Sequence, residues 1–180
     1  MRRWQNQFFQ EKVKAGYEEC SIMEDFDIGI LFERGEVLED VPGNSCAKIF
    51  EYICDRIVVP SGLTAHQLQK ELVEREKVLS TAVGNGIAIP HPRYPLVKNS
   101  AESKIVVAYL REPLDMQAPD VKKVYVMFII LSDSAQFHIK VLSALATLFK
   151  NEKFRKGIQT CPSKGELLDL LRRISRPELL

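Results

Sequence analysis

The sequence has almost no net charge to act through: 25 Lys and Arg against 24 Asp and Glu leave a formal +1. No long-range field therefore drives it onto nucleic acid or an anionic membrane, and any such partner needs a local patch. Cysteine is sparse as well. Cys20, Cys46, Cys54 and Cys161 form no C-x-x-C pair and lack zinc-site spacing, which points to reduced thiols in a cytosolic setting. Cys46 and Cys54 fall two turns apart on one expected helix, where they cannot bridge. The start of the chain, Met1-Arg2-Arg3-Trp4, leads into no apolar run long enough for a signal peptide, and no later stretch is long enough to span a bilayer. A soluble, unexported protein is the expectation. Internal repeats and low-complexity tracts are absent too, setting solenoid architectures aside.

What is present is an ordinary globular composition, 46% apolar and 27% charged over 180 residues, enough for one well-filled core. Residues 1–27 mix charge and aromatics without a sustained period. A regular alternation of strand-like and helix-like runs begins at Ile28, so a boundary is placed near Asp27, giving an extension over 1–27 and a domain over 28–180. Ile28–Phe32 and the stretch around Val37 read as extended. Pro42-Gly43-Asn44-Ser45 is a turn ending in an N-cap for a helix to about Ile57. After Pro60-Ser61-Gly62, Thr64 and Gln67 form a capping-box pattern opening a helix to about Val78. Gly84–Ile89 is short and β-like.

Ile105–Leu110 and Val124–Leu131 are continuous apolar runs, the pattern of strands covered on both faces. Helices must then lie on both sides. The spacing of Phe137, Val141, Leu145 and Leu148 predicts a helix from Ser134 to about Lys150. Ser163 and Glu166 cap a last helix through Arg173. The fold class is α/β, a small mixed β-sheet flanked by helices on both faces.

Three residues invite a chemical reading. His91 stands in Ile89-Pro90-His91-Pro92, at the end of a strand and between prolines that remove two backbone donors and narrow its backbone freedom. A histidine held this way is suited to reversible phosphoryl capture, because an ordinary pKa of ~6.5 leaves a neutral nucleophilic nitrogen at cytosolic pH. The same residues also fit a surface-loop histidine whose prolines merely end an edge strand. Arg75 falls in the middle of the stripe Leu68, Leu72, Leu79, where a guanidinium needs a carboxylate, backbone carbonyls or a bound anion; the other reading is an i,i+4 bridge to Glu71. His138 lies in the first turn of the Ser134 helix, beside free N–H groups that stabilise an anion, and it equally fits a packing residue at the edge of the apolar stripe. His66 projects away from the Leu68/Leu72 stripe and is given no role. A metal hydrolase built on His91 and His138 finds no carboxylate at ligand spacing.

Taken together, Arg75-Glu76, Ser80-Thr81 and Gly84-Asn85-Gly86-Ile87-Ala88-Ile89-Pro90-His91, followed by Glu112-Pro113-Leu114-Asp115, the strand Val124–Leu131, and His138 with Leu142, resemble the signature of phosphotransferase-system enzyme IIA domains of the fructose/mannitol and nitrogen-regulatory type. The resemblance spans about residues 28–175. It implies a mixed sheet between helices and a phosphohistidine carrier that takes its phosphoryl group from the histidine phosphocarrier protein. It also implies a relay without metal or other cofactor. On the same basis His91 is the phosphorylated residue, His138 the second active-site histidine, Arg75 the nearby cation, and Ser80, Thr81 and Gly86 part of the phosphate pocket. Partners downstream would be an enzyme IIB domain or a regulated kinase or transporter. A role in nitrogen or carbon regulation is expected; the alternatives are a non-catalytic regulatory binding module and an enzyme IIA component of fructose/mannitol-type sugar uptake. Pro92-Arg93-Tyr94-Pro95 departs from members that follow the histidine with Gly or Thr. Arg2–Phe8 resembles the tail of an excisionase-like DNA-binding module; on that reading residues 1–27 are the end of a missing module, and nucleic acid is a partner only through it, while the other reading makes residues 1–27 an amphipathic arm.

Overall fold

A computed structural model describes residues 27–175. The expected extension over residues 1–27 lies outside the described residues except for its last residue, as does Cys20.

The helical turn Ile28–Arg34 (α1) opens the described chain, followed by strand Val37–Val41 (β1), helices Cys46–Cys54 (α2) and Ala65–Val78 (α3), and the short strands Ala82–Gly84 (β2) and Ile87–Ala88 (β3). After a 3-10 turn come the long strands Lys104–Leu114 (β4) and Val124–Leu131 (β5), then helices Ala135–Lys150 (α4), Glu152–Ile158 (α5) and Lys164–Ser175 (α6). The sheet runs β1-β4-β5-β3-β2. Its β1/β4 and β3/β5 pairs are parallel, while β4/β5 and β2/β3 are antiparallel. The expected mixed sheet is therefore present.

Over their unbroken apolar runs both central strands are buried on two faces, while Arg111–Pro113 at the end of β4 are exposed. Val106, Ala108, Met127 and Ile129 point into one core with Ile49, Ile53, Leu68 and Leu72 of α2 and α3. Ile105, Val107, Tyr109, Phe128 and Ile130 point into a second with Leu31, Phe32, Val141, Leu145, Phe154 and Leu167. The period-2 alternation of strand side chains divides one continuous run between two layers.

One expectation at the start of the domain needs correction, and one short helix near its end was not anticipated. Ile28–Phe32 was expected to be extended, yet it is helical: the Asp27 side chain accepts from the Gly29 N–H as an N-cap, and one helical turn puts the adjacent Leu31 and Phe32 into the second core. Helix α5 had no counterpart in the sequence reading. Asn151 caps it by accepting from the Phe154 N–H, and Phe154 and Ile158, one turn apart, are both fully buried.

The helix starts anticipated from sequence are otherwise seen. Ser45 and Ser134 accept from the third residue of their helices, and Thr64 and Gln67 form the complete capping box. At α6, Glu166 accepts from both the N–H and the hydroxyl of Ser163. Leu68 and Leu72 are buried and anchor α3, each worth roughly 1.5–3 kcal/mol, whereas the exposed Lys77–Glu74 pair on the same helix is screened by solvent and adds little. Packing, not surface charge, thus sets where the last turn of α3 points.

Candidate functional site

The carboxyl ends of the parallel neighbours β3 and β5 deliver the two imidazoles to one place. The chain leaves β3 through Ile89-Pro90-His91; the Pro90 carbonyl still accepts from the Ile130 N–H of β5 at 2.9 Å, so the segment stays aligned although proline donates nothing. β5 ends at Leu131, and the turn through Ser132 and Ser134 starts α4 with His138 in its first turn. The rings of His91 and His138 lie 4.7 Å apart between centroids, tilted by 49°. Arg75 enters from the last turn of α3, donating from Nε to His91 Nε2 at 3.2 Å and from Nη1 to the Leu79 carbonyl at 2.7 Å.

These contacts fix the His91 tautomer. Nδ1 lies 2.8 Å from the Ile89 carbonyl oxygen, which can only accept, so Nδ1 carries the proton. Nε2 accepts from Arg75 and so presents its lone pair. Burial is the main reason the His91 pKa falls below its ordinary 6.5, with the Arg75 charge adding to the fall, against the Ile89 bond and the Glu76 carboxylate. His138 is pushed down to about 4, first by burial and then by His91 and Arg75. Both rings are neutral at pH 7.

Arg75 makes no ion pair with Glu71 among the described residues; a carbonyl and an imidazole take its donors. Leu79, expected on the buried stripe, is 70% exposed: it is the residue after α3, where the helical period has already ended. His66 is exposed, as expected.

The other sequence candidates sit in the frame around the pair. Thr81 is buried, and its N–H and hydroxyl both donate to Glu76, at 3.0 and 2.6 Å. The Thr81 carbonyl accepts from the Ile89 N–H, so α3, β2 and the His91 segment form one hydrogen-bonded chain. The Ser80 hydroxyl donates to the Met116 carbonyl and accepts from the Ala82 N–H. Gly86 occupies the β2–β3 turn at φ +75°, where an added Cβ would lie 2.5 Å from the Tyr125 ring. With these hydroxyls already committed and Gly86 against Tyr125, what the structure gives these three residues is support of the loops.

Two participants carried no expected role. Glu76 had a signal, since it follows Arg75 on the same helix, but nothing local shows that it reaches five residues on to Thr81. Ser132 is buried with its Oγ 3.3 Å from His138 Nδ1, a pairing made only by the fold. Among the described residues no three His, Cys, Asp or Glu side chains converge as metal ligands. A cavity of about 140 Å³ adjoins the pair, bounded by Pro92, Arg93, Tyr94, Ser132, His138 and Ile139 among others. A larger groove of about 880 Å³ lies between α2 and the β4–β5 hairpin, lined by Tyr52, Arg56 and Arg111; it holds neither imidazole, so chemistry rather than size assigns the site. Exposed apolar residues stand on either side of the imidazoles' supports: Val78 and Leu79 after Arg75, and Tyr94 and Ile139 beside the cavity.

A mixed sheet between helix layers, with two neutral imidazoles and one guanidinium meeting at adjacent strand ends, defines a small α/β domain with a paired-histidine site. The chain belongs to the phosphoenolpyruvate-dependent sugar phosphotransferase system EIIA 2 family, matched over residues 31–174. It is 31% identical over 142 residues to a nitrogen regulatory protein of Pseudomonas aeruginosa, a match covering 76% of this chain and 89% of that protein. The crystal structure of the nitrogen regulatory protein IIA-Ntr from Neisseria meningitidis superposes with a TM-score of 0.64 at 31% identity, over 83% of this chain and 98% of that one. The multiphosphoryl transfer protein of Shigella flexneri is 28% identical over 149 residues, 81% of this chain, but the match spans only 17% of that longer protein. A phosphocarrier role is consistent with this membership. Among the described residues, no helix is long and apolar enough to cross a membrane.

Proposed function

We propose that this domain is a phosphohistidine carrier in which His91 Nε2 accepts a phosphoryl group from the histidine phosphocarrier protein. The observation that carries this reading is the fixed tautomer: the Ile89 carbonyl holds the proton on Nδ1, leaving Nε2 as the one nucleophilic nitrogen. In transfer, the Nε2 lone pair forms the new bond to phosphorus. The donor's phosphorus–nitrogen bond breaks, and its electron pair stays on the donor imidazole. Positive charge developing on the His91 ring is stabilised through Nδ1–H and the Ile89 carbonyl.

Arg75 sits on the attacked nitrogen before transfer, so it must move aside by the width of a phosphoryl group and then donate to its oxygens. His138, neutral and hence carrying one N–H, donates to the same oxygens. Positioning and charge stabilisation are most of the catalysis such a transfer needs. Val78, Leu79, Tyr94 and Ile139 supply apolar contact for the carrier around a polar centre.

Supporting a role in nitrogen regulation is the name shared by the Pseudomonas and Neisseria relatives, which this chain covers almost end to end. The phosphate's onward acceptor is then an enzyme IIB domain or a regulated kinase or transporter, and the working compartment is the cytoplasm. Incubating the protein with phosphorylated carrier should give an acid-labile, base-stable product that His91→Ala lacks. If His91→Ala labels as fast as the native chain, the assignment is wrong. Pull-downs with His91→Asp against His91→Ala separate a charge-sensing regulatory module, which discriminates the two, from a simple relay.

A further inference from the structure

The charges around the two imidazoles do not balance a phosphoryl group. A phosphoryl group on nitrogen brings close to two negative charges, yet both rings are neutral and Arg75 is the sole cation in contact with them among the described residues. Arg75 also begins with Nε on His91 and Nη1 on the Leu79 carbonyl. During transfer the charge spreads over three equatorial oxygens between donor and acceptor nitrogens, and a single guanidinium entering from the α3 side faces only part of it.

Arg93 lines the cavity beside His138, which Arg75 does not. It follows His91 by two residues, is exposed, and shares that cavity's wall with Ser132. No carboxylate pairs with it among the described residues, and its one described contact is a loose stacking on Tyr94, 5.5 Å from guanidinium carbon to ring centroid. The backbone on either side is stiffened by Pro92 and Pro95, so the loop position is set while the side chain stays free to turn. Arginine, with a planar fork of donors, suits phosphoryl oxygens better than a lysine point charge.

We infer that Arg93 is a second phosphoryl-binding cation of this domain, swinging from Tyr94 over the cavity to hold the group's oxygens together with Arg75 while the phosphorus passes to His91 Nε2. This rests on the phosphohistidine reading above. Neither bond nor proton changes at Arg93; it stabilises charge in the transition state and contributes little to holding the partner at rest.

The test is single-turnover transfer from ³²P-charged histidine phosphocarrier protein, followed by rapid quench over a range of carrier concentrations, with native protein, Arg93→Gln and Arg93→Lys. Arg93 is exposed, so folding is not at stake. The expected result is an about ten- to hundredfold loss of the saturating rate in Arg93→Gln, with part of it recovered in Arg93→Lys and the half-saturating carrier concentration nearly unchanged. A loss below about tenfold at saturation, an effect confined to the half-saturating concentration, or no recovery with lysine overturns the inference. Native protein that takes no label on His91 would instead overturn the phosphocarrier reading itself, so the two failures are distinguishable.

Discussion

Replacing His138 by glutamine should flatten the acid side of the stability profile. In the native chain the ring titrates at about 4 when folded, held there by burial and by the neighbouring His91 and Arg75, and near 6.5 when unfolded. The unfolded chain therefore binds the extra proton first, and stability rises with pH across this window: the contribution is intact above about pH 6.5 and is lost progressively towards about pH 4. Between about pH 7.5 and 4.5 a shift of that size costs the folded state about 2.5 kcal/mol. The ring is only half-buried, and solvent around it reduces this to about 1–2 kcal/mol. His138→Gln lacks the term, while the lowered His91 still contributes a fall of the same sign in both proteins. Urea unfolding followed by far-ultraviolet circular dichroism at the two pH values reads the difference directly. The native chain should lose about 1–2 kcal/mol more than the variant over this interval. Equal losses, or a larger loss in the variant, would refute the placement of His138 in a desolvated pocket beside a second ring and a guanidinium.

Gly86→Ala should destabilise by about 2–4 kcal/mol, because φ is +75° and the new methyl meets Tyr125, and a denaturant midpoint shift at unchanged slope is the check. Glu76→Gln removes a charged acceptor from two Thr81 donors and should cost about 1.5–3 kcal/mol. It should also move the His91 pKa lower, since the Glu76 carboxylate raises it; imidazole proton shifts followed against pH report the direction. Leu79→Ser, at a 70% exposed position, should leave stability within about 0.5 kcal/mol while raising the carrier concentration needed for half-maximal phosphorylation.

Much of the frame was legible because it rests on long, strongly patterned segments. Two uninterrupted apolar runs required a sheet covered on both sides, and Thr64/Gln67 and Ser134 marked the starts of the two helices that carry Arg75 and His138. Short elements were harder. Ile28–Phe32 is β-branched and apolar enough to suit a strand, and only the Asp27 cap and the second core decide for a helix. Helix α5 is too brief to show a period beyond Phe154 and Ile158. Gly84–Ile89 read as one β-like stretch, whereas Asn85-Gly86, with positive φ at both residues, turns it into a two-residue hairpin.

For the site, proline-bracketed His91 and the out-of-place Arg75 were visible one at a time. Their meeting with His138 is a tertiary fact, created by pairing β3 with β5 in parallel so that both strand ends open on the same side. Ser132 and the Glu76–Thr81–Ile89 chain stayed hidden for the same reason: each joins segments whose contact depends on register rather than on local spacing.

Which ring nitrogen bears phosphorus decides most. Phosphorus–nitrogen couplings in ¹⁵N-histidine-labelled protein, charged by the phosphorylated carrier, should place the group on Nε2 of His91 with the proton still on Nδ1. Phosphorus on Nδ1, or on any other residue, would contradict the site described above.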